Sequence, residues 1–463
     1  MKRSIAVVSW MLCLCFMAII YVAVGSQGVF SAERPNILFI VGDDMGYADV
    51  GFHGCKDIPT PNLDRLASSG VRFTNGYVSG VYCSPTRAGL LTGRYQNRFG
   101  HEYNPGGSGM HGLPLSQQTI ADRLKAVGYK TGLVGKWHLG SDAALHPQQR
   151  GFSEFLGFLG GAHSYFDPAG ILRGTKPIQE MDYSTDAFAR EAASFIEKYS
   201  SDPWFLYLAF NAVHTPMHAT DSRLQKFESI PVGKRRIYAA MMVAMDDAIG
   251  TVLEKLSATK QLENTLICFI SDNGGPTMVG TTTNGSQNNP LRGSKRTTLE
   301  GGIRVPFLVS FPSQLKPAVY NRPVIQIDLV TTALAAAGVA PAADWKLDGV
   351  DLLPYLKGAN SSDPHDALYW RFGQQRAVRS GDWKLVQYDL NADSQTGREK
   401  GVTDLKLYNL ANDIHEDKDL ASSMPEKVSE LRTKWDAWNT LNEVPRWGQG
   451  ADKEDAPRRK QKK

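Results

Sequence analysis

From Pro35 to near Asp348, apolar runs of strand length alternate with amphipathic stretches of helix length, and beyond that point the texture changes. Asn36–Val41 is nearly all apolar, as a strand buried on both faces should be. Lys130–Val134, Trp204–Phe210, Thr265–Ile270 and Phe307–Phe311 read as further strands. Pro61–Ser69 reads as a short helix, with Thr60 as its N-cap and Pro61 at the first position. Thr119–Val127 is another, stopped by Gly128, and longer amphipathic helices cover Thr185–Tyr199 and Lys234–Ser257. This alternation predicts an α/β fold: a large mixed, mostly parallel sheet flanked by helices. After Asp348–Pro354 and the polar loop Gly358–Pro364 come short strand-like runs at Ala367–Phe372, Arg376–Arg379, Trp383–Tyr388 and Lys406–Leu410. A helix over about Pro425–Trp438 follows, so a smaller C-terminal α+β domain with an antiparallel sheet is expected. The predicted boundaries are 33–350 for the large domain, 351–445 for the small one and 446–463 for a disordered basic tail.

The chain has 463 residues, too many for one ordinary core, which agrees with two domains. A net charge of +4 is small for this length, and no basic stripe with interleaved aromatics is present, so a nucleic-acid partner is not expected. Lys2 and Arg3 precede a mostly apolar run from Ile5 to Val24, with small residues after it. Residues 1–32 therefore read as an export signal peptide, or as an N-terminal anchor, the run approaching the ~20 residues that span a bilayer. The protein is expected to be periplasmic or secreted. A cleaved signal takes Cys13 and Cys15 with it and leaves Cys55, Cys83 and Cys268, which is no disulfide scaffold. Cys55 and Cys268 read as two buried thiols, with a bridge between them as the alternative.

The chemistry lies in how the strands end. Asn36–Val41 runs into Gly42-Asp43-Asp44, Lys130–Val134 into Gly135-Lys136-Trp137-His138, Trp204–Phe210 into Asn211-Ala212-Val213-His214, and Thr265–Ile270 into Ser271-Asp272-Asn273. Open α/β sheets bind ligands in the crevice outside the carboxyl ends of their strands, so these side chains should converge. Asp43, Asp44, Asp272 and Asn273 offer oxygen to a hard cation, and calcium suits an all-protein cage better than magnesium does. No Cys/His cluster has zinc spacing. Lys136 and His138 would point to one face if the extended chain continued through them. His214 precedes Thr215-Pro216, a pair that keeps its imidazole in a loop, and His218 nearby reads as a bystander. The segment Gly293-Ser294-Lys295 through Glu300-Gly301-Gly302 reads in isolation as a basic surface loop. Gly106-Gly107-Ser108-Gly109 lacks the ending of a phosphate loop and has no nucleotide role.

Cys83-Ser84-Pro85-Thr86-Arg87, followed by Leu91-Thr92-Gly93, completes the set. A helix starting at Cys83 puts Arg87 on the same face and offers free N–H groups to an anion. The pentapeptide resembles the sulfatase modification signature. With the strand-end residues, the chain from Pro35 to about Leu410 resembles the formylglycine-dependent (type I) sulfatases of the alkaline-phosphatase-like superfamily, of arylsulfatase and N-acetylgalactosamine-sulfatase type. The resemblance implies that Cys83 is oxidised to formylglycine by a formylglycine-generating enzyme and that Arg87 stabilises it. It also implies that Asp43, Asp44, Asp272, Asn273 and the modified Cys83 bind calcium. Lys136 and Lys295 would hold sulfate oxygens, and His138 and His214 would move protons. Thr86 stands where the family often has serine. A further family contact is unmatched, with His163 or Ser164 as candidates.

By the family's mechanism, one hydroxyl of the aldehyde hydrate attacks sulfur and deprotonation of the other expels sulfate, which splits one difficult step into two. A serine could form the ester but could not eliminate it in this way. The expected activity is sulfate-ester hydrolysis on a sulfated carbohydrate. The alternatives are a phosphonate or phosphodiester hydrolase of the same superfamily, or a non-catalytic glycan-binding relative if Cys83 stays unmodified. Oligomeric state is not encoded in any of these features.

Overall fold

The computed structural model describes residues 34–106 and 110–451. The expected signal peptide over 1–32, Gly107–Gly109 of the glycine-rich loop and residues 452–463 of the expected 446–463 tail lie outside the described residues, whereas the start of that tail is packed, with Trp447 buried and donating to Tyr103 O at 3.1 Å. In chain order the strands are β1 (Asn36–Gly42), β2 (Val71–Phe73), β3 (Gly76–Tyr77), β4 (Lys130–Lys136), β5 (Glu154–Phe158), β6 (Leu172–Arg173), β7 (Lys176–Pro177) and β8 (Trp204–Ala209). They continue as β9 (Thr265–Ser271), β10 (Phe307–Ser310), β11 (Ala318–Tyr320), β12 (Val324–Ile325), β13 (Leu368–Phe372), β14 (Gln375–Ser380), β15 (Trp383–Gln387) and β16 (Lys406–Asn409).

Ten strands form one sheet in the order β11-β2-β10-β9-β1-β8-β4-β5-β6-β7. The centre, from β9 through β1, β8 and β4 to β5, is parallel, while β10 and the β6–β7 hairpin run antiparallel. The sheet is thus mixed and mostly parallel, as the alternation of apolar runs and amphipathic stretches requires. Every residue of β1 is buried. Leu38 and Ile40 face the helices Pro61–Ser69, Ser184–Lys198 and Lys234–Ala258, while Ile37, Phe39 and Val41 face Cys83–Thr92, Ile120–Ala126 and Asp328–Ala336. Helices on both faces explain why the strand lacks polar alternation. Thr119 and Asp122 form a reciprocal capping box that starts Ile120–Ala126 one residue inside the predicted span. Register positions the future site: Gly42 lies opposite Ser271, so Asp43 and Asp272 leave adjacent parallel strands at the same level.

The C-terminal sheet is antiparallel, in the order β13-β14-β15-β16. Leu431, Trp435 and Trp438 of the helix Pro425–Asn439 pack on Trp370, Ala377, Val378, Leu385 and Val386. The same cluster includes Tyr77, Val81, Leu299 and Ile303 of the preceding part, and from Pro35 onward the chain forms one compact unit. The change of texture near Asp348 therefore marks a change of sheet type within a shared core. Cys55, Cys83 and Cys268 are all free, and Cys55 is half-buried, its thiol donating to Asp57 at 3.2 Å, so the expected second buried thiol is Cys268 alone.

A buried ionic cluster fastens the two parts together. The Lys384 ammonium on β15 lies 2.9 Å from Glu300 and 2.8 Å from Glu416, and all three side chains are fully buried. The Glu300 backbone N–H also donates to the Glu416 carboxylate at 2.8 Å. Burial and the facing Glu300 raise the Glu416 carboxyl, whereas Lys384, Arg304 and Arg379 overcome burial to keep Glu300 low. Removing the cation strands two buried carboxylates, so Lys384→Met should destabilise the protein by about 3–5 kcal/mol in urea unfolding. Glu416→Gln, which removes one of the competing charges, should cost less. Equal stability of wild type and Lys384→Met would show that the cluster does not hold the seam.

Candidate active site

Four strand ends deliver polar side chains to one edge of the sheet. Asp43 and Asp44 follow β1, Lys136 is the last residue of β4, Asp272 and Asn273 follow β9, and His214 lies beyond β8. The ends are laced together by backbone: Asp43 N–H donates to Ala212 O at 2.9 Å, Val213 N–H to Asp43 O at 2.7 Å, and Asp272 N–H to Gly42 O at 3.0 Å. Asp44 adopts a left-handed φ of 63°, and its N–H reaches Asp272 Oδ1 at 3.3 Å. Asn284 fixes this turn from outside, donating from Nδ2 to Asp44 O at 3.1 Å and to Val213 O at 2.9 Å.

The helix Cys83–Thr92 begins at the cysteine and is buried along its whole length. Arg87, one turn on, donates from Nε and Nη2 to Asp272 Oδ2 at 3.0 and 2.8 Å and lies 3.6 Å from Asp43 Oδ2. Its Nη1 donates to Lys136 O at 3.3 Å and to the Tyr207 hydroxyl at 3.4 Å. Lys136 Nζ sits 2.5 Å from Asp43 Oδ2. Lys295, from the glycine-bounded segment that reads as a surface loop in sequence, is buried; its Nζ lies 2.6 Å from Asp44 Oδ1 and 3.1 Å from Cys83 Sγ. Cys83 Sγ is 3.5 Å from Asp43 Oδ1.

Burial, Asp272 and Asp43 push the Cys83 thiol far up, against the pull of Lys136 and Lys295. Burial alone would raise Asp43 and Asp44, but Lys136, His214 and Arg87 at the first and Lys295 and His214 at the second hold both carboxyls down. Burial, then the charges of Lys136, Arg87 and Lys295, hold the His138 imidazole well below its ordinary range. Three carboxylates thus face three cationic side chains, and an unmodified thiol stays protonated among them.

The two histidines arrive differently from the sequence expectation. β4 ends at Lys136 and His138 has φ 55°, so the extended chain does not continue and the shared face of Lys136 and His138 is lost. The His138 carbonyl is instead held by the Ser84 hydroxyl at 2.6 Å, and Ser84 Oγ lies 2.7 Å from His101 Nε2. Gly161 lies so close that a Cβ there would fall 2.5 Å from His138 Nε2, which only glycine permits. His214 Nδ1 lies 2.5 Å from Thr215 O, leaving Nε2 3.6 Å from Asp44 Oδ2. His163 stands apart from this cluster: its ring nitrogens contact Ser164 O at 2.7 Å and Ala169 O at 2.8 Å. Ser164 Oγ is 3.5 Å from His218 Nδ1, so these two residues engage each other.

The donor set fits a hard cation. Ligand atoms of Asp43, Asp44, Cys83 and His214 lie within 4.8 Å of one another. Asp44 Oδ2 and Asn273 Oδ1 are buried without a hydrogen-bond partner, two orphaned oxygens of the kind a calcium ion would satisfy. Sequence reasoning missed Ser84, His101, Tyr207 and Asn284. Ser84 lies inside the motif, while the other three have no signal short of the folded contacts.

The sulfatase family model matches residues 35–339, and the model for the N-sulphoglucosamine sulphohydrolase C-terminal region matches 293–434. Arylsulfatase A from Homo sapiens is 33% identical over 88% of this chain and 88% of its own length. N-acetylgalactosamine-6-sulfatase from Homo sapiens is 34% identical over 78% of this chain and 72% of its own. The crystal structure of Ps i-CgsB, also solved in complex with k-i-k-neocarrahexaose, is 35% identical with a TM-score of 0.83, covering 91% of this chain and 96% of that one. The chain therefore belongs to the sulfatase family and is a sulfuric ester hydrolase.

Proposed function

We propose that this chain is an exported sulfatase that removes sulfate from sulfated glycans, with a formylglycine made from Cys83 and a calcium ion held by Asp43, Asp44, Asp272 and Asn273. The observation that carries this reading is Cys83 itself, buried at a helix start between Lys295 and Asp43, where its thiol is kept from ionising. Such a thiol is a poor nucleophile as encoded, which favours its conversion to another group. Formylglycine supplies an aldehyde whose hydrate offers one hydroxyl for attack and a second whose proton can be removed. Calcium supplies Lewis-acid stabilisation of charge on sulfuryl oxygens. With the ion bound, the balance of three carboxylates and three cations becomes net positive, matched to an anionic sulfate ester.

The remaining work belongs to this chain's side chains. Lys136 and Lys295 present ammonium groups to sulfate oxygens in a water-poor pocket, where such interactions are strong. Arg87 orients Asp272 and the helix start. His214, with Nδ1 turned to the Thr215 carbonyl, directs Nε2 into the pocket and protonates the leaving alcohol. His138, kept neutral by burial and the surrounding cations, accepts a proton at the second hydroxyl.

The glycan part of the reading rests on the loop after β5. Tyr165 donates its hydroxyl to Asn211 O at 2.6 Å and His214 O at 2.9 Å, tying the loop to the β8 strand end. The next residue, Phe166, is 46% exposed beside Tyr183 and His218, an aromatic face suited to a sugar ring. The oligosaccharide bound by Ps i-CgsB supports the same substrate class.

Cys83→Ala should abolish aryl sulfate turnover with an unfolding midpoint close to that of wild type, and peptide mass spectrometry of active protein should find residue 83 as the aldehyde. A fully active Cys83→Ala enzyme would refute the mechanism, and a strong preference for aryl phosphodiester over aryl sulfate would refute the substrate class. Asp272→Ala should lose calcium in equilibrium dialysis together with activity; full activity of that variant in chelator would dismiss the cage. Phe166→Ala should raise KM for sulfated saccharides by about tenfold, a ~1.4 kcal/mol loss, with a smaller effect on a small aryl sulfate. An equal KM change on both substrates would remove Phe166 from sugar binding.

A further inference from the structure

Among the described residues, Asp44, His138, Lys260, Arg296, Lys346 and Glu416 are the non-glycine residues in the left-handed region, and half of them are in or next to the active site. The conformation costs roughly 1–2 kcal/mol at each. The turns described above account for Asp44 and His138. Arg296, at φ 79°, is the residue after the buried Lys295 and has no role so far.

Its backbone is fully engaged: the N–H donates to Val81 O at 3.0 Å, and the carbonyl accepts from Gln375 Nε2 at 2.8 Å. Its side chain is not. No carboxylate pairs with it among the described residues, and its Nε is buried without a hydrogen-bond partner. Other arginines of this region are paired: Arg292 with Asp393 at 2.5 Å and Arg304 with Glu300 at 3.3 Å. The Arg296 guanidinium carbon lies 6.0 Å from the centre of the Tyr82 ring, and Lys295 Nζ lies 5.9 Å from the same ring. Tyr82 immediately precedes Cys83, so the half-buried Arg296 side chain packs beside the residue that leads into the Cys83 helix. Lys295 Nζ is already committed to Asp44 and Cys83, whereas Arg296 touches no carboxylate of the site.

A guanidinium that is partly desolvated and has no anion is poised to take one from outside. We propose that Arg296 forms an anion subsite for a second acidic group of the substrate, a sulfate ester or carboxylate carried on the same glycan as the sulfate being removed. Both cations lie about the same distance from the Tyr82 ring, but only Lys295 is paired, so one cation serves the scissile sulfate and its neighbour is left for the rest of the chain. This deepens the glycan reading above and rests on it.

The test compares saccharides that differ only in a second sulfate, with a third in which a carboxylate replaces that sulfate and an aryl sulfate as the small substrate. Wild type should favour a doubly acidic saccharide over the singly sulfated one by about tenfold in kcat/KM, mainly through KM, as one charge-assisted contact allows. The preference should shrink as salt is raised. Arg296→Gln should bring that ratio close to one. Arg296→Gly should do the same while raising the unfolding midpoint, because it relieves the left-handed conformation. Whichever of the two acidic saccharides loses its advantage identifies the group bound. A ratio unchanged in both variants, or a wild type with no preference, overturns the subsite while leaving the glycan reading intact. A wild type that cleaves the aryl sulfate and none of the saccharides overturns the glycan reading and the subsite with it.

Discussion

The fully buried guanidinium of Arg87 registers the helix Cys83–Thr92 against the sheet. It forks onto Asp272 beyond β9, lies beside Asp43 beyond β1 and donates to the Lys136 carbonyl on β4. A buried charge is tolerated only where its partners are held in good geometry, so this one side chain ties three strand ends to one helix. Lys136 and Lys295 then neutralise the remaining carboxylates, and Cys83 takes the space between them. Asp272 and Asp43, which together with burial push the Cys83 thiol up, are thus among the oxygens that these cations hold in place.

The C-terminal sheet takes part in this arrangement although it contributes no side chain to the site. Gln375, at the start of β14, donates to the Arg296 carbonyl at 2.8 Å and accepts from the Thr298 N–H at 3.2 Å. Glu300, two residues further, is locked by Lys384 on β15. The segment that brings Lys295 to Cys83 is therefore held from below by the small sheet, and burial of the ionic cluster makes that hold rigid.

The parallel core was legible because strands buried on both faces appear as unbroken apolar runs, and their polar ends must converge at one edge. Asp43-Asp44 and Asp272-Asn273 follow such runs, and the structure brings them together, whereas Cys83–Arg87 follows none of them and was readable only as a resemblance to a known signature. Less visible were features that exist only after separate chain segments meet. Asn284 clamps Asp44 across 240 residues of chain, and His101 supports the His138 carbonyl through Ser84. Lys295 reads as surface because its neighbours are glycine, serine, arginine and threonine, yet Asp44 and Cys83 draw it into the interior. The extended chain assumed through His138 fails for a local reason: the backbone turns left-handed there to meet Ser84. The two-residue strands of the β6–β7 hairpin are too short to have a periodicity at all.

Cys83 is 1% exposed in a helix buried along its whole length, so no modifying enzyme can reach its sulfur in the native state. Maturation of the proposed kind must therefore finish before this helix docks. The helix packs against ends that exist only once β1 pairs with β9, where Gly42 faces Ser271, 229 residues further on, and contacts so distant in sequence form slowly. The specific activity of a preparation is then set by a race between oxidation and folding. Chains that fold first are trapped as well-formed but inert copies, which no later exposure to the modifying enzyme can rescue without unfolding.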